Sequence, residues 1–191
     1  MLRVASFPRS GTHLLMATIW YNFEVPYDCS RQITVQNAAW RNGTECLKTG
    51  ETANVPWSRI FAGHGPYRPS DETTILIVRH FEELYPSYTS LFGDTAVADA
   101  FAMWKATLMS FAGQPIIRYE DLVADPEAIV DALTTITKMV RRPFRPVTEI
   151  VGWIGKYPRR AAVLTERQQV EVDLLYPRAS TLGARDRGRP L

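Results

Sequence analysis

Residues 7–12 read Phe-Pro-Arg-Ser-Gly-Thr and have the residue types of an anion-binding site; we call them the 7–12 loop. It stands between a short apolar run that predicts a strand and a stretch that predicts a helix. Backbone N–H groups and the positive end of a helix dipole bind phosphate or sulfate at such a junction, and Arg9 adds a fixed positive charge. A turn without a ligand is the alternative interpretation of so short a segment.

The 7–12 loop departs from the Walker A pattern GxxxxGK[ST] that is typical of ATPases and GTPases. No first glycine stands at the required distance, and no lysine follows Gly11. An ordinary ATPase or GTPase is therefore disfavoured.

A second candidate anion ligand is Arg79, which follows the apolar, β-branched run at residues 74–78. An arginine at the carboxyl end of a buried strand offers a planar fork to a phosphate. Ser87 follows eight residues later, about two helical turns on, and we expect its hydroxyl on the same side. The alternative is a surface ion pair for Arg79 and a solvated Ser87.

Strands and helices alternate along the chain. Residues 2–7 and 74–78 predict strands, and helical sequence follows from about residue 13 to 21 and from about residue 81. Two further patterns predict core-facing helices, Val97, Phe101, Trp104, Leu108 and Phe111 in the first and Ile129, Leu133, Ile136 and Val140 in the second.

Two shorter signals complete the predicted pattern. Residues 116–119 predict another strand, and Asp125, Pro126 and Glu127 form a helix start with an N-cap, a proline and a first-turn acid. The alternation predicts an α/β domain with a mainly parallel central sheet flanked by helices, whose ligands bind beyond the carboxyl ends of the strands.

The motifs resemble, in order, those of the sulfotransferases that use 3′-phosphoadenosine 5′-phosphosulfate (PAPS). The loop that holds the 5′-phosphosulfate in that family reads roughly F/Y-P-K/R-S-G-T-T, and residues 7–13 read Phe-Pro-Arg-Ser-Gly-Thr-His. The family's arginine and serine for the 3′-phosphate have the spacing of Arg79 and Ser87. Residues 119–122, Tyr-Glu-Asp-Leu, resemble the segment that places Tyr119 near adenine.

The resemblance implies a P-loop NTPase-like sulfotransferase fold and an enzyme that transfers a sulfuryl group from PAPS to a hydroxyl or amine acceptor, without a metal. The product would be 3′,5′-adenosine bisphosphate (PAP). The cofactor-binding residues implied are Arg9, Ser10, Gly11, Thr12, His13, Arg79, Ser87 and Tyr119. The family normally has lysine where Arg9 stands, and since arginine does not readily give up a proton, the catalytic part of Arg9 is electrostatic.

His64 is the predicted catalytic base. It ends a short apolar strand in a turn, at a place that resembles the family's K-T-H-L-P segment, and histidine suits proton abstraction near pH 7. A loop histidine bonded to backbone is the alternative. The other two histidines, His13 and His80, stand beside predicted anion ligands and could contact the cofactor without abstracting a proton.

Several positions depart from the family pattern. Ala62 stands where the family has a lysine, and Leu14 replaces a tryptophan that often stacks on adenine. Near the C-terminus, Gly155 matches the glycine of the family's R-K-G element, but the two basic residues before it are missing. The expected replacements are Lys156, Arg159 and Arg160, which either supply that charge from shifted positions or form a solvated basic surface.

Composition limits the partners and the organisation of the chain. A formal net charge of +2 does not favour nucleic acid, and no run of about 18 apolar residues predicts a membrane span. We expect a cytoplasmic protein with a single domain at residues 1–178 and a flexible basic tail at residues 179–191. Cys29 and Cys46 are interpreted as ordinary thiols, although a disulfide between them is possible.

The acceptor and the oligomeric state stay open at this point. A small molecule, a carbohydrate or a lipid would each fit as acceptor. Two other functions remain as alternatives, a small P-loop-like phosphotransferase that uses Mg-ATP and a catalytically degenerate fold-mate that binds nucleotide or a partner without turnover.

Overall fold

The centre of the protein is a parallel β-sheet. The computed structural model describes residues 2–24, 60–64, 67, 73–93, 95–147 and 157–182. Within these ranges the sheet has four strands in the order β2-β1-β3-β4, all paired in parallel. The strands are β1 (Leu2–Ser6), β2 (Ile60–His64), β3 (Thr73–Val78) and β4 (Ile116–Arg118).

Helices flank the sheet, as the alternating pattern predicted. They are α1 (Thr12–Asn22), α2 (Phe81–Phe92), α3 (Val97–Ser110), α4 (Tyr119–Ala124), α5 (Pro126–Thr137) and α6 (Glu166–Leu175). The predicted class, an α/β protein with a parallel central sheet flanked by helices, is confirmed for the part of the chain that the structure describes.

The uninterrupted apolar run of β3 reflects burial on both faces of the sheet. Ile75 and Ile77 pack in a cluster with side chains of α1, α4 and α5, whereas Leu76 and Val78 pack in a cluster with α2, α3 and α6. Successive strand residues point to opposite faces, so both sets must be apolar in a three-layer arrangement. The core therefore consists of two layers separated by the sheet.

Side chains cap the starts of two helices, and the sequence predicts the first of them, at Asp125. The side chain of Asp125 accepts a hydrogen bond from the backbone N–H of Ala128 at 2.9 Å, and Pro126 is the first residue of α5. Thr165 and Gln168 form a reciprocal capping box at the start of α6. Both motifs satisfy helix N–H groups that would otherwise lack partners.

Two element boundaries differ from the predictions. Tyr119 begins α4 instead of ending a strand. Val140 is 60% exposed and does not belong to the core stripe of α5, because the helix ends at Thr137 and Lys138 adopts a left-handed conformation with φ 54°. Beyond that turn the backbone of Val140 instead accepts a hydrogen bond from the N–H of Glu24.

The segment after α6 runs along the exposed edge of β4. The N–H of Thr181 donates to the carbonyl of Ile116 at 2.8 Å, and the hydroxyl of Ser180 accepts from the N–H of Arg118 at 2.9 Å. The edge of the sheet is thereby covered. Ser180 and Thr181 belong to the segment from residue 179 that we expect to be a flexible tail, and residues 183–191 of that segment lie outside the described part.

Some expectations fall on residues that the structure does not describe, among them Cys29, Cys46, Gly155 and Lys156. Of the helices that it does describe, none combines the length and the apolar character needed to cross a membrane.

Candidate anion-binding site

The carboxyl ends of the strands bring the predicted ligands to one edge of the sheet. In the strand register, Ser6 at the end of β1 pairs with His64 of β2 and with Ile77 of β3. The chain passes from β1 to β2 on one side and then to β3 on the other, which makes the gap between β1 and β3 a topological switch point. Ligands of parallel α/β sheets bind at such points.

The 7–12 loop, which follows β1, has an unusual backbone. Arg9 and Gly11 both adopt left-handed conformations, with φ 73° and 93°, and the N–H of Ser10 donates to the carbonyl of Phe7 at 3.2 Å. A left-handed arginine costs about 1 kcal/mol. Turns with left-handed residues point backbone N–H groups into a concave anion site, so this strain has a functional interpretation.

The start of α1 offers its N–H groups without a side-chain cap. Gly11 is the N-cap, and no acidic residue stands in the first turn. Thr12 donates its hydroxyl to Ser6 at 2.7 Å, whereas Ser10 is fully buried and its hydroxyl has no hydrogen-bond partner among the described residues. Buried polar groups are usually satisfied, so an anion at this helix end would supply a partner.

Arg9 reaches from the loop to helix α2. Its Nε donates a hydrogen bond to the hydroxyl of Ser87 at 2.9 Å. The sequence predicts that Ser87 shares a site with Arg79, and in the structure its hydroxyl accepts a hydrogen bond from Arg9. The 7–12 loop and α2 are therefore in direct side-chain contact.

Arg79 is held at the end of β3 by both its backbone and its side chain. Its carbonyl accepts a hydrogen bond from Nε1 of Trp104 at 3.1 Å, and its guanidinium lies 4.5 Å from the centre of the Tyr119 ring. An ion pair with the mostly exposed Glu83 spans 3.8 Å and contributes little. The Nε of Arg79 is buried and has no hydrogen-bond partner among the described residues, so this arginine retains donor capacity.

Tyr119 connects Arg79 with the 7–12 loop. A Cβ atom placed on Gly11 would lie 2.3 Å from Cδ2 of Tyr119, a distance that forces one of the two groups to move. Only glycine therefore fits beneath this ring, for reasons of both space and backbone conformation. Gly11, Tyr119 and Arg79 form one packed unit.

Positive charge accumulates around Arg9. Burial and then the charges of Arg159 and Arg79 lower the pKa of Arg9 below its ordinary value. The segment that carries Arg159 lies along α2, where the N–H of Tyr157 donates to the carbonyl of Ser90 and the N–H of Arg160 donates to the hydroxyl of Thr89, each at 3.0 Å. The side chains of both Arg159 and Arg160 are exposed. A cluster of like charges is stabilised by an anion.

The histidines occupy different surroundings. The backbone of His64 lies beside Ser6 at the ligand edge of the sheet, and its side chain lies outside the described part. His13 is half-buried in the first turn of α1. His80 packs edge-to-face on Tyr176, with ring centres 5.1 Å apart, so it supports the fold beside Arg79.

Sequence reasoning did not assign a site role to three residues that contact Arg79 or its neighbour. Trp104 was interpreted as core, and its indole N–H also holds Arg79. Glu120 accepts a hydrogen bond from the N–H of His80 at 3.3 Å and another from the hydroxyl of Tyr176. The Tyr-Glu-Asp-Leu string was a signal for Glu120, but no sequence pattern pointed to Tyr176.

Comparison with known proteins adds nothing to this geometry, since no family model, curated protein or solved structure matches the chain. Across the residues that the structure describes, no group of three or more histidine, cysteine, aspartate or glutamate side chains could hold a metal ion.

Proposed function

We propose that this protein is a sulfotransferase that transfers a sulfuryl group from PAPS to a hydroxyl or amine acceptor, within a P-loop-like sulfotransferase fold. The order and spacing of the motifs support the proposal. The observation that carries it is the hydrogen bond from Arg9 to Ser87, because it joins residues that the resemblance assigns to the two ends of one nucleotide. A ligand with phosphate groups at both ends matches a site in which Arg9, Arg79 and Arg159 come together.

Each part of PAPS has candidate ligands in this proposal. The 5′-phosphosulfate binds the 7–12 loop and Arg9, and the adenine lies near Tyr119. Arg79 and Ser87 bind the 3′-phosphate, and Arg159 adds positive charge from a position that differs from the family's R-K-G element.

The reaction is an in-line displacement at sulfur. The acceptor oxygen attacks the sulfur while the bond from sulfur to the bridging 5′-phosphate oxygen breaks, and PAP leaves with the electron pair of that bond. His64 takes the acceptor's proton, and Arg9 with the loop amides stabilises the negative charge that develops on the bridging oxygen.

Ligand titration separates this proposal from a phosphotransferase. We expect PAP to raise the melting temperature of the protein more than Mg-ATP does, since a ligand that binds only the native state adds about 2.7 kcal/mol at 100 times its Kd. Arg79→Ala should weaken PAP binding at least about tenfold. Arg142→Ala, a change at an exposed arginine after α5, should leave PAP binding unchanged.

Two results would contradict the proposal in different ways. Preferential stabilisation by Mg-ATP would favour the phosphotransferase. PAP binding without transfer from radiolabelled PAPS to a broad panel of alcohols, phenols, sugars and amines would favour a degenerate fold-mate. Ala62, at the position where the family has a lysine, is consistent with that alternative.

A further inference from the structure

The turn between β3 and α2 consists of Arg79 and His80. Side chains of other elements form hydrogen bonds with the carbonyl of Arg79 and with the N–H of His80. The carbonyl of Arg79 accepts from Nε1 of Trp104, which lies on α3. The N–H of His80 donates to Oε1 of Glu120, the second residue of α4, at 3.3 Å. The direction in which the Arg79 side chain leaves the sheet is therefore set from two sides.

The carboxylate of Glu120 is itself fixed in place. Its Oε2 accepts a hydrogen bond from the hydroxyl of Tyr176, and the Nε of Arg118 lies 3.9 Å from the same oxygen. Burial, together with the hydrogen bond to Glu120, raises the pKa of Tyr176, so the phenol keeps its proton and remains a donor. Glu120 thus accepts two hydrogen bonds in one geometry.

Tyr176 closes a ring of contacts around this turn. Its aromatic ring stacks on Trp104 with centres 6.4 Å apart and meets the edge of His80 at 5.1 Å. The guanidinium of Arg118 lies over the same ring, 5.1 Å from its centre. The end of α6 consequently touches both groups that hold the turn, Trp104 and Glu120.

We propose that Glu120 and Tyr176 are positioning residues that fix the Arg79–His80 turn so that the Arg79 guanidinium faces the anion site. Both act through backbone and ring contacts at the turn. The identity of the anion rests on the proposed function, whereas the positioning of Arg79 does not.

The experiment uses two readouts on the full chain. The first is hydrogen exchange of the Trp104 indole N–H, measured by NMR without ligand and compared with the backbone N–H of Leu76, which bonds to the carbonyl of Pro115 within the sheet region. The second is the Kd for PAP. The variants are Glu120→Ala, Glu120→Gln and Tyr176→Phe, with Glu127→Ala as control because Glu127 is exposed and pairs with Arg141 at the surface.

In Glu120→Ala we expect indole exchange at least about tenfold faster than in wild type, unchanged Leu76 exchange, and about tenfold weaker PAP binding. Glu120→Gln keeps an oxygen acceptor and should stay within about threefold on both readouts. Tyr176→Phe keeps the ring and loses the hydroxyl, so it should fall between them. Glu127→Ala should match wild type.

The outcomes separate the positioning role from the proposed function. Wild-type protein that does not bind PAP, with Trp104 exchange that still responds to Glu120→Ala, would reject the nucleotide and keep the positioning role. The positioning role would be overturned by equal Trp104 exchange rates in wild type and Glu120→Ala, or by an equal acceleration of Leu76 exchange in that variant. Should Glu120→Ala fail to fold, Tyr176→Phe decides, and wild-type values for it in both readouts would overturn the role.

Discussion

Nε of Arg9 lies 2.9 Å from the hydroxyl of Ser87, although 78 positions separate the two residues in the chain. The contact joins the loop after β1 to helix α2, which begins directly after the Arg79–His80 turn. Arg9 also has a left-handed backbone, and its side chain is held against α2 by this hydrogen bond. A site that is already assembled loses less conformational entropy when an anion binds.

Gly11→Ala tests the close approach of the loop to Tyr119. The new Cβ would lie 2.3 Å from Cδ2 of that ring at a φ of 93°, so we expect the free energy of unfolding to fall by about 2–4 kcal/mol. Binding of PAP should weaken as the ring moves away from Arg79. Urea unfolding and calorimetric titration measure the two effects.

Gly113→Ala is the matched control for that substitution. Gly113 also has a positive φ, of 76°, but among the residues that the structure describes, none beyond its chain neighbours has an atom within 4 Å of a Cβ built there. Its cost should be limited to backbone strain of about 1 kcal/mol, with unchanged PAP binding. Equal destabilisation by the two variants would show that the contact with Tyr119 does not restrict position 11.

Sequence patterns were sufficient for the layers of the fold. The apolar run of β3 predicted a strand buried on both faces, and it packs on both sides as expected. The cap at Asp125 predicted the start of α5 correctly, because capping is a local interaction that a few residues specify. The end of α5 was placed too late because Lys138, a residue with no strong turn signal, adopts a left-handed conformation.

The site was predictable only where its ligands follow a strand or belong to a loop motif. Arg9, Gly11 and Arg79 could be selected because parallel strands bring their carboxyl ends to one edge. The hydrogen bond between Arg9 and Ser87 could not be predicted, since the reach of Arg9 depends on a positive φ that arginine disfavours. The hydrogen bond between Tyr176 and Glu120 joins residues 56 positions apart and leaves no periodic pattern.

Arg159→Gln tests whether the charges of Arg9, Arg79 and Arg159 together lower the stability of the ligand-free protein. The pKa of Arg9 is lower in the folded protein than in the unfolded chain, so folding disfavours the charged form of this arginine. The resulting loss of stability is fully present at every pH below the folded pKa, which includes neutral pH. Removing the charge of Arg159 should therefore raise the melting temperature of the ligand-free protein by about 1–2 °C at low salt. PAP binding should weaken about three- to tenfold.

Salt provides the check on that result. At about 1 M ionic strength the Debye length is about 3 Å, so the stability difference between Arg159→Gln and wild type should disappear. Arg142→Gln removes an exposed positive charge after α5, outside the cluster of Arg9, Arg79 and Arg159, and should show no gain at low salt. A gain of the same size in both variants would mean that overall net charge, and not the cluster, sets the effect.

His64→Ala separates proton abstraction from cofactor binding. The strand register places the backbone of His64 beside Ser6, the last residue of β1 before the 7–12 loop. Because a general base acts on the acceptor's proton and not on PAPS, kcat should fall at least about 100-fold while the Kd for PAP stays within about threefold.

The contrasting variant Arg79→Ala should weaken PAP binding and retain turnover at saturating PAPS. The rise of kcat/KM with pH that a histidine base produces near neutrality should also vanish in His64→Ala. Wild-type turnover in His64→Ala with an unchanged pH profile would assign the base to another residue, and a large loss of PAP affinity would assign His64 to cofactor binding.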